Sequence, residues 1–337
     1  MAEKNRHIIY LRVIATVFVV LIHASTGFLY RVDTNSFDWN YANWINAATR
    51  CSVPLFVVIS GALLLQKDEN IWDFYKKRLP KLLFPFLFWT IVYLIYYFYR
   101  YTNFENLSSE KIWAITQDKL LHGANAHLWY LYMIIGLYLT IPFLRKILVQ
   151  CSIKEIEWFL LLWLLSMFVS NRAFYSIMPK FDLTFFSGYI GYLVLGHYLT
   201  IKSFHWNKLI APLGYIIITT VTAMGTCILN EKATSLNTLL YNYVFPNTAI
   251  AAVFLFLSLQ PYCLKVSTIP RWITIVDKYS FGIYLSHIIP LNFLHPFFSR
   301  HADTVWVIPL ASISTIVVSV FLTFILRKLP YGRYISG

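Results

Sequence analysis

Arg12 and His23 stand eleven positions apart inside one apolar run that extends from His7-Ile8-Ile9-Tyr10 to Ala24-Ser25-Thr26-Gly27. At about 100° per residue, a helix comes back to within about 20° of its starting direction over that interval and rises roughly 16 Å. Both side chains therefore share a face. Thr16 and Thr26 lie close to it, and Ile14, Val17, Val20 and Leu21 fall on the other side. A charge at mid-bilayer costs roughly 2.5–3.5 kcal/mol on insertion scales, so this face must turn toward protein or water rather than lipid. In one reading Arg12 snorkels to the headgroups and His23 is a packed, hydrogen-bonded residue. In the other the pair belongs to a functional site, as intramembrane ionisable groups do by default. The chemistry open to such a site is proton abstraction or nucleophilic catalysis by imidazole, with arginine as a fixed positive charge.

Other residues fall at depths where they could join it. Arg50 opens Arg50-Cys51-Ser52-Val53-Pro54-Leu55-Phe56, and Pro54 removes a backbone hydrogen bond beside that charge. His127 and Trp129 head His127-Leu128-Trp129-Tyr130-Leu131 at the same level. Their aromatics are either an interfacial belt or a surface for the apolar faces of sugar rings. Asn242, Asn247 and Thr248 want partners, either other helices or an acceptor substrate. His287 is either a packing histidine or a second site histidine. At the opposite level, Lys76-Lys77-Arg78-Leu79-Pro80-Lys81 is either a charge anchor for the membrane or a landing site for an anionic ligand such as the phosphates of coenzyme A.

The elements that must position these groups are membrane helices. The chain of 337 residues is 58% hydrophobic and only 13% charged, with a mean hydropathy of +0.59, whereas soluble domains run near a quarter charged. Apolar runs of about 20 residues recur along the whole length. The fold class is an all-α membrane protein, a bundle of about ten transmembrane helices. Spans are expected near 8–30, 43–65, 79–100, 126–149, 155–171, 181–200, 208–228, 239–260, 279–298 and 304–326. An even number puts both termini on one side. With that side cytoplasmic, eighteen lysines and arginines lie inside and eight outside, while Arg12 and Arg50 lie within spans. This asymmetry explains the net charge of +13 without nucleic acid and supports cytoplasmic termini. The four cysteines have no CxxC spacing and suggest neither a disulfide framework nor a zinc site. The first stretch is too long for a signal-peptide core and is read as a retained helix. The connection near 101–125 is the longest and holds an amphipathic segment around Ile112–Leu121. One integral membrane domain is expected over 1–337.

In this order, these motifs resemble acyltransferase family 3, ten-helix bacterial membrane enzymes that O-acylate cell-surface glycans. The most specific mark is Arg-x10-His in the first helix, matched by Arg12 and His23. The resemblance continues through Arg50 to Phe56, Ile59-Ser60-Gly61, Lys77-Arg78 before Pro85, His127 to Leu131, and Ser280-Phe281-Gly282-Ile283-Tyr284-Leu285-Ser286-His287. Some members carry an extracytoplasmic hydrolase-like domain. This chain is similar in length to the stand-alone type, such as the one that acetylates enterobacterial common antigen. The resemblance implies transfer of an acyl group, most simply acetyl, from cytosolic acetyl-CoA to a hydroxyl of a surface or lipid-linked glycan, in the bacterial inner membrane and without a metal. It makes His23 the general base or transient acyl carrier. Arg12 orients the donor or holds the structure of the path. Arg50, His127, Trp129 and Asn247 serve the acceptor, and Lys77 and Arg78 bind coenzyme A. The acceptor sugar, its hydroxyl, the existence of an acyl-enzyme and the oligomeric state stay open.

Two other classes compete. A transporter or flippase for a lipid-linked sugar would use the same polar groups to line a path, but no inverted repeat with paired broken helices is evident. A membrane haem protein would place histidines on facing helices, but no redox motif accompanies them. Consumption of acetyl-CoA separates both from the enzyme.

Overall fold

Apolar side chains at helical spacing leave the chain one way to satisfy its backbone in a bilayer, and the described residues form helices and no strand. A computed structural model describes residues 2–102, 108–169, 171, 183–204, 207–265 and 268–337. The helices are α1 (Ala2–Leu29), α2 (Phe37–Thr49), α3 (Ser52–Leu64), α4 (Ile71–Arg78), α5 (Pro80–Tyr101), α6 (Ser109–His122), α7 (Trp129–Leu148), α8 (Ile153–Val169), α9 (Ile190–Ile201), α10 (Ile210–Asn230), α11 (Pro246–Lys265), α12 (Arg271–Ser286), α13 (Ile288–Ser299), α14 (Thr304–Leu326) and the short α15 (Gly332–Ile335). Seven helical stretches among the described residues are long and apolar enough to cross a membrane. The expected spans at 155–171 and 181–200 fall partly outside the described residues. The amphipathic segment expected at Ile112–Leu121 is α6, whose N-cap Ser108 accepts from the Lys111 amide.

α1 is the axis of the bundle, packed by α2, α3, α11, α12 and α14. Its sequence shows no one-sided pattern because neighbours cover it on several sides: Leu11, Ala15, Val20 and Ala24 are all sealed. The outer helices are different. α5 exposes Leu83, Leu87, Ile91 and Ile95, and α14 exposes Ile313, Val317 and Phe321. These steps of four make continuous apolar stripes, too large for a water-facing surface and suited to lipid tails. The chain is therefore a multi-pass membrane protein.

Two expected spans are broken, and both breaks bear on the site. The second divides into α2 and α3 at Arg50-Cys51, because Pro54 has no N–H to offer the Arg50 carbonyl. The ninth begins earlier than expected, at Arg271, and breaks at His287, because Pro290 likewise leaves the Ser286 carbonyl without its helical donor. α3 and α9 approach backbone to backbone. A Cβ at Gly61 would strike the Leu193 carbonyl, and one at Gly196 would strike the Val58 carbonyl and the Ala62 amide nitrogen.

Candidate active site

His23 is carried by the C-terminal third of α1 and is half-buried. His127 sits in the 3-10 turn Ala126–Leu128 that leads into α7. His287 lies at the break between α12 and α13 and is fully buried. These three elements bring three imidazoles together. The His23 ring centroid is 5.1 Å from that of His287 and 6.4 Å from that of His127, and His127 and His287 are 5.1 Å apart. His127 Nδ1 faces Asn125 Oδ1 at 2.9 Å, and its Nε2 faces the Leu285 carbonyl at 3.4 Å. The Tyr284 hydroxyl donates to the His127 carbonyl. The Tyr93 ring lies 4.8 Å from that of His127, and its hydroxyl donates to the Leu285 carbonyl at 2.8 Å. A cavity of about 120 Å³ opens against this cluster, lined by His23, His127, Trp129, Tyr243 and Tyr284 with Val19, Ile22, Val53 and Ala126.

Arg50 stands at the next layer out. Its guanidinium lies 4.5 Å from the centroid of the Tyr241 ring and 5.4 Å from that of Tyr243, and it donates to the Tyr243 hydroxyl at 3.3 Å. Tyr243 in turn stacks on Trp129, with centroids 5.6 Å apart. Tyr243 thus borders the histidine cavity on one side and Arg50 on the other. Beyond Arg50 a pocket of about 550 Å³ is walled by Asn171, Asn237, Thr238, Leu239, Tyr241 and Asn242. Amides, hydroxyls and aromatic faces are the lining that suits a polyol such as a sugar.

The structure does not bring Asn247 to this cavity. It is buried in the seam of α10 and α11, donating to Thr222 Oγ1 at 2.9 Å and to the Leu240 carbonyl at 2.8 Å. Arg12 is likewise a layer away from the histidines. It forms an ion pair of 2.7 Å with Asp277 of α12. Asp277, which the sequence motifs did not single out, is the lone carboxylate of that helix.

Lys77 and Arg78 meet at Glu69, at 3.4 Å and 2.6 Å respectively. Arg145 of α7, absent from the sequence reading, approaches the same carboxylate at 3.8 Å and donates from Nε to the Leu64 carbonyl at 2.8 Å. The buried Phe74 ring takes both guanidiniums, Arg78 at 4.4 Å and Arg145 at 4.6 Å. Beside this cluster opens a cavity of about 1180 Å³, whose charged lining is Lys67, Arg145 and Lys146 together with Asp68 and Glu69. Burial by itself would raise the Glu69 carboxyl. The hydrogen bond and charge of Arg78, joined by Lys77, outweigh it and hold Glu69 below the ordinary value of 4.5. Its stabilising contribution is then fully present above pH 4.5 and is lost as pH falls through the depressed folded value. Thermal melts of wild type and Glu69→Gln should differ by a constant amount at neutral and mildly acid pH and converge in stronger acid. A gap unchanged in strong acid would refute this account.

Among the described residues no group of three or more His, Cys, Asp or Glu is arranged to hold a metal ion. A family model described as an acyltransferase domain, acyltransferase family 3, matches residues 5–324. No curated protein and no solved structure matches the chain.

Proposed function

The chain belongs to acyltransferase family 3, and for this integral membrane acyltransferase we propose transfer of an acyl group, most simply acetyl, from cytosolic acyl-CoA to a hydroxyl of a cell-surface or lipid-linked glycan. The observation that carries this reading is the position of His23. It lines a small cavity whose neighbours are a polyol-suited pocket beyond Arg50 and, at the other end of α3, a cavity large enough for a nucleotide that carries Lys67, Arg145 and Lys146 beside Asp68 and Glu69.

His23 is the general base. It takes the proton of the acceptor hydroxyl while the hydroxyl oxygen bonds the thioester carbon. The carbon–sulfur bond breaks, and coenzyme A leaves as a thiolate that later receives the proton. Arg50 supplies positive charge near the oxygen on which negative charge develops, and His127 and Trp129 shape the acceptor side. Asn247 supports that side indirectly, through the α10–α11 seam. Arg12 holds the donor path open through Asp277. The phosphates of coenzyme A fall to the cavity of Lys67, Arg145 and Lys146, with Lys77, the more exposed of its pair, as a direct partner and Arg78 as the group that orders the loop at Glu69. In this arrangement ten spans cross the bacterial inner membrane as one domain, and both termini are cytoplasmic.

The test is incubation of detergent-purified protein with radiolabelled acetyl-CoA without acceptor. Retained label that is lost on denaturation in mild acid indicates an acyl-histidine and transfer in two steps. Slow hydrolysis of the thioester without retained label indicates direct transfer with His23 as base. A folded protein that neither binds nor consumes acetyl-CoA sinks the enzyme reading and leaves the flippase. The narrowness of the histidine cavity speaks against the flippase, because a sugar headgroup would not pass it without large movement.

A further inference from the structure

Resting on the acyl-transfer reading above, we propose that His287 is the positioning partner of His23: its Nε2 lone pair receives the N–H of His23 and fixes the tautomer in which His23 presents its other nitrogen to the substrate.

The first observation is the hydrogen bonding of His287. Its Nδ1 lies 2.6 Å from the carbonyl oxygen of Tyr284. A carbonyl oxygen can only accept, so the proton of the neutral ring sits on Nδ1 and Nε2 holds a lone pair. The helical break at Pro290 permits this, since it frees the backbone just before His287 and lets the ring fold back on the preceding turn. The second observation is that Nε2 is buried and has no hydrogen-bond partner among the described residues. A buried acceptor left unmade costs about 1–3 kcal/mol, so a nitrogen in that state is expected to have a use.

Two imidazoles stand close enough to satisfy it. Both nitrogens of His127 already face oxygen partners on Asn125 and Leu285. His23, with its ring centroid 5.1 Å away, is the ring that can turn an N–H toward His287. Ring nitrogens lie about 1 Å from their centroids, so this separation accommodates an N–H···N hydrogen bond of about 3 Å. The remaining nitrogen of His23 then faces the cavity. When it takes the acceptor's hydroxyl proton, the imidazolium that forms keeps its hydrogen bond to the His287 lone pair. The logic is that of a base oriented by a third group, with a neutral imidazole in place of a carboxylate. A neutral partner also adds no buried anion to a dry site.

Solid-state 15N spectra of the full chain in lipid bilayers, with labelled histidine, read the tautomer without any turnover. The nine histidines are resolved by subtracting the spectrum of His287→Gln. The expected result is a His287 signal protonated at Nδ1, with Nε2 shifted as a hydrogen-bond acceptor. Protonation at Nε2 overturns the proposal. In turnover, His287→Phe is expected to lower kcat about 100-fold with KM for acetyl-CoA within about twofold, and His287→Gln, whose carbonyl can accept in place of Nε2, to recover about tenfold of that loss. A merely structural role would move stability and leave Gln no better than Phe. His287→Phe within about threefold of wild type, or Gln and Phe equally impaired at unchanged melting temperature, overturns it. If the tautomer is as stated and wild-type protein consumes no acetyl-CoA, the histidine pair stands and the acyl-transfer reading is what fails.

Discussion

His23→Ala is expected to lower acyl transfer about a thousandfold, roughly 4 kcal/mol of barrier, without unfolding the protein. The size follows from removing the only imidazole of the cluster that is half-buried against the cavity rather than sealed among protein groups. The fold should tolerate the change because α1 is held by Leu11, Ala15, Val20 and Ala24, all fully buried and none touched by it. His127→Ala makes the comparison informative. Both nitrogens of His127 face protein oxygens and its one N–H donates to one of them, so its loss should weaken geometry and cost distinctly less. The measurement is transfer of labelled acetyl groups by protein matched for amount and for elution on size exclusion. Full activity of His23→Ala under those conditions would remove His23 from the mechanism.

Gly196→Leu is expected to destabilise the bundle by about 3 kcal/mol or more and to abolish recovery of folded protein. Even a Cβ there meets the Val58 carbonyl and the Ala62 amide nitrogen, and these are backbone atoms of α3 that no rotamer change can withdraw. Gly61, on the facing helix, meets the Leu193 carbonyl in the same way. The two glycines let α3 and α9 touch, and α3 begins just after the break that aims Arg50. Forcing the helices apart should therefore disturb the acceptor side as well as stability. Gly136→Ala is the control, since nothing lies within 4 Å of a Cβ there. Thermal melts followed by fluorescence-detected size exclusion measure both variants. A Gly196→Leu protein that melts with wild type would show that the close approach is not required.

Much of this was legible in the sequence. Apolar length and scarcity of charge specify a helical membrane protein, because a bilayer admits few other ways to satisfy a backbone. The eleven-residue interval from Arg12 to His23 puts both on one helix face by geometry alone. Pro54 announces a break beside Arg50. These features are local, or depend only on solvent. Partner choice is not local. Nothing in the spacing says that Arg12 spends its charge on Asp277, 265 positions away, or that Arg78 and Arg145 converge on Glu69 around one phenyl ring. His287 offered two readings because a histidine in an apolar helix looks the same whether it packs or serves a site. Asn247 looked like a site residue because its polarity demanded partners, and Thr222 and the Leu240 carbonyl supply them. By itself the sequence determined the class of the molecule, the helix face that Arg12 and His23 share and the family motifs along the chain. Only the tertiary structure decided which ionisable groups neutralise one another and which meet at the cavity. A buried charge or lone pair takes whatever partner packing brings within about 3 Å, and that depends on how all the helices cross.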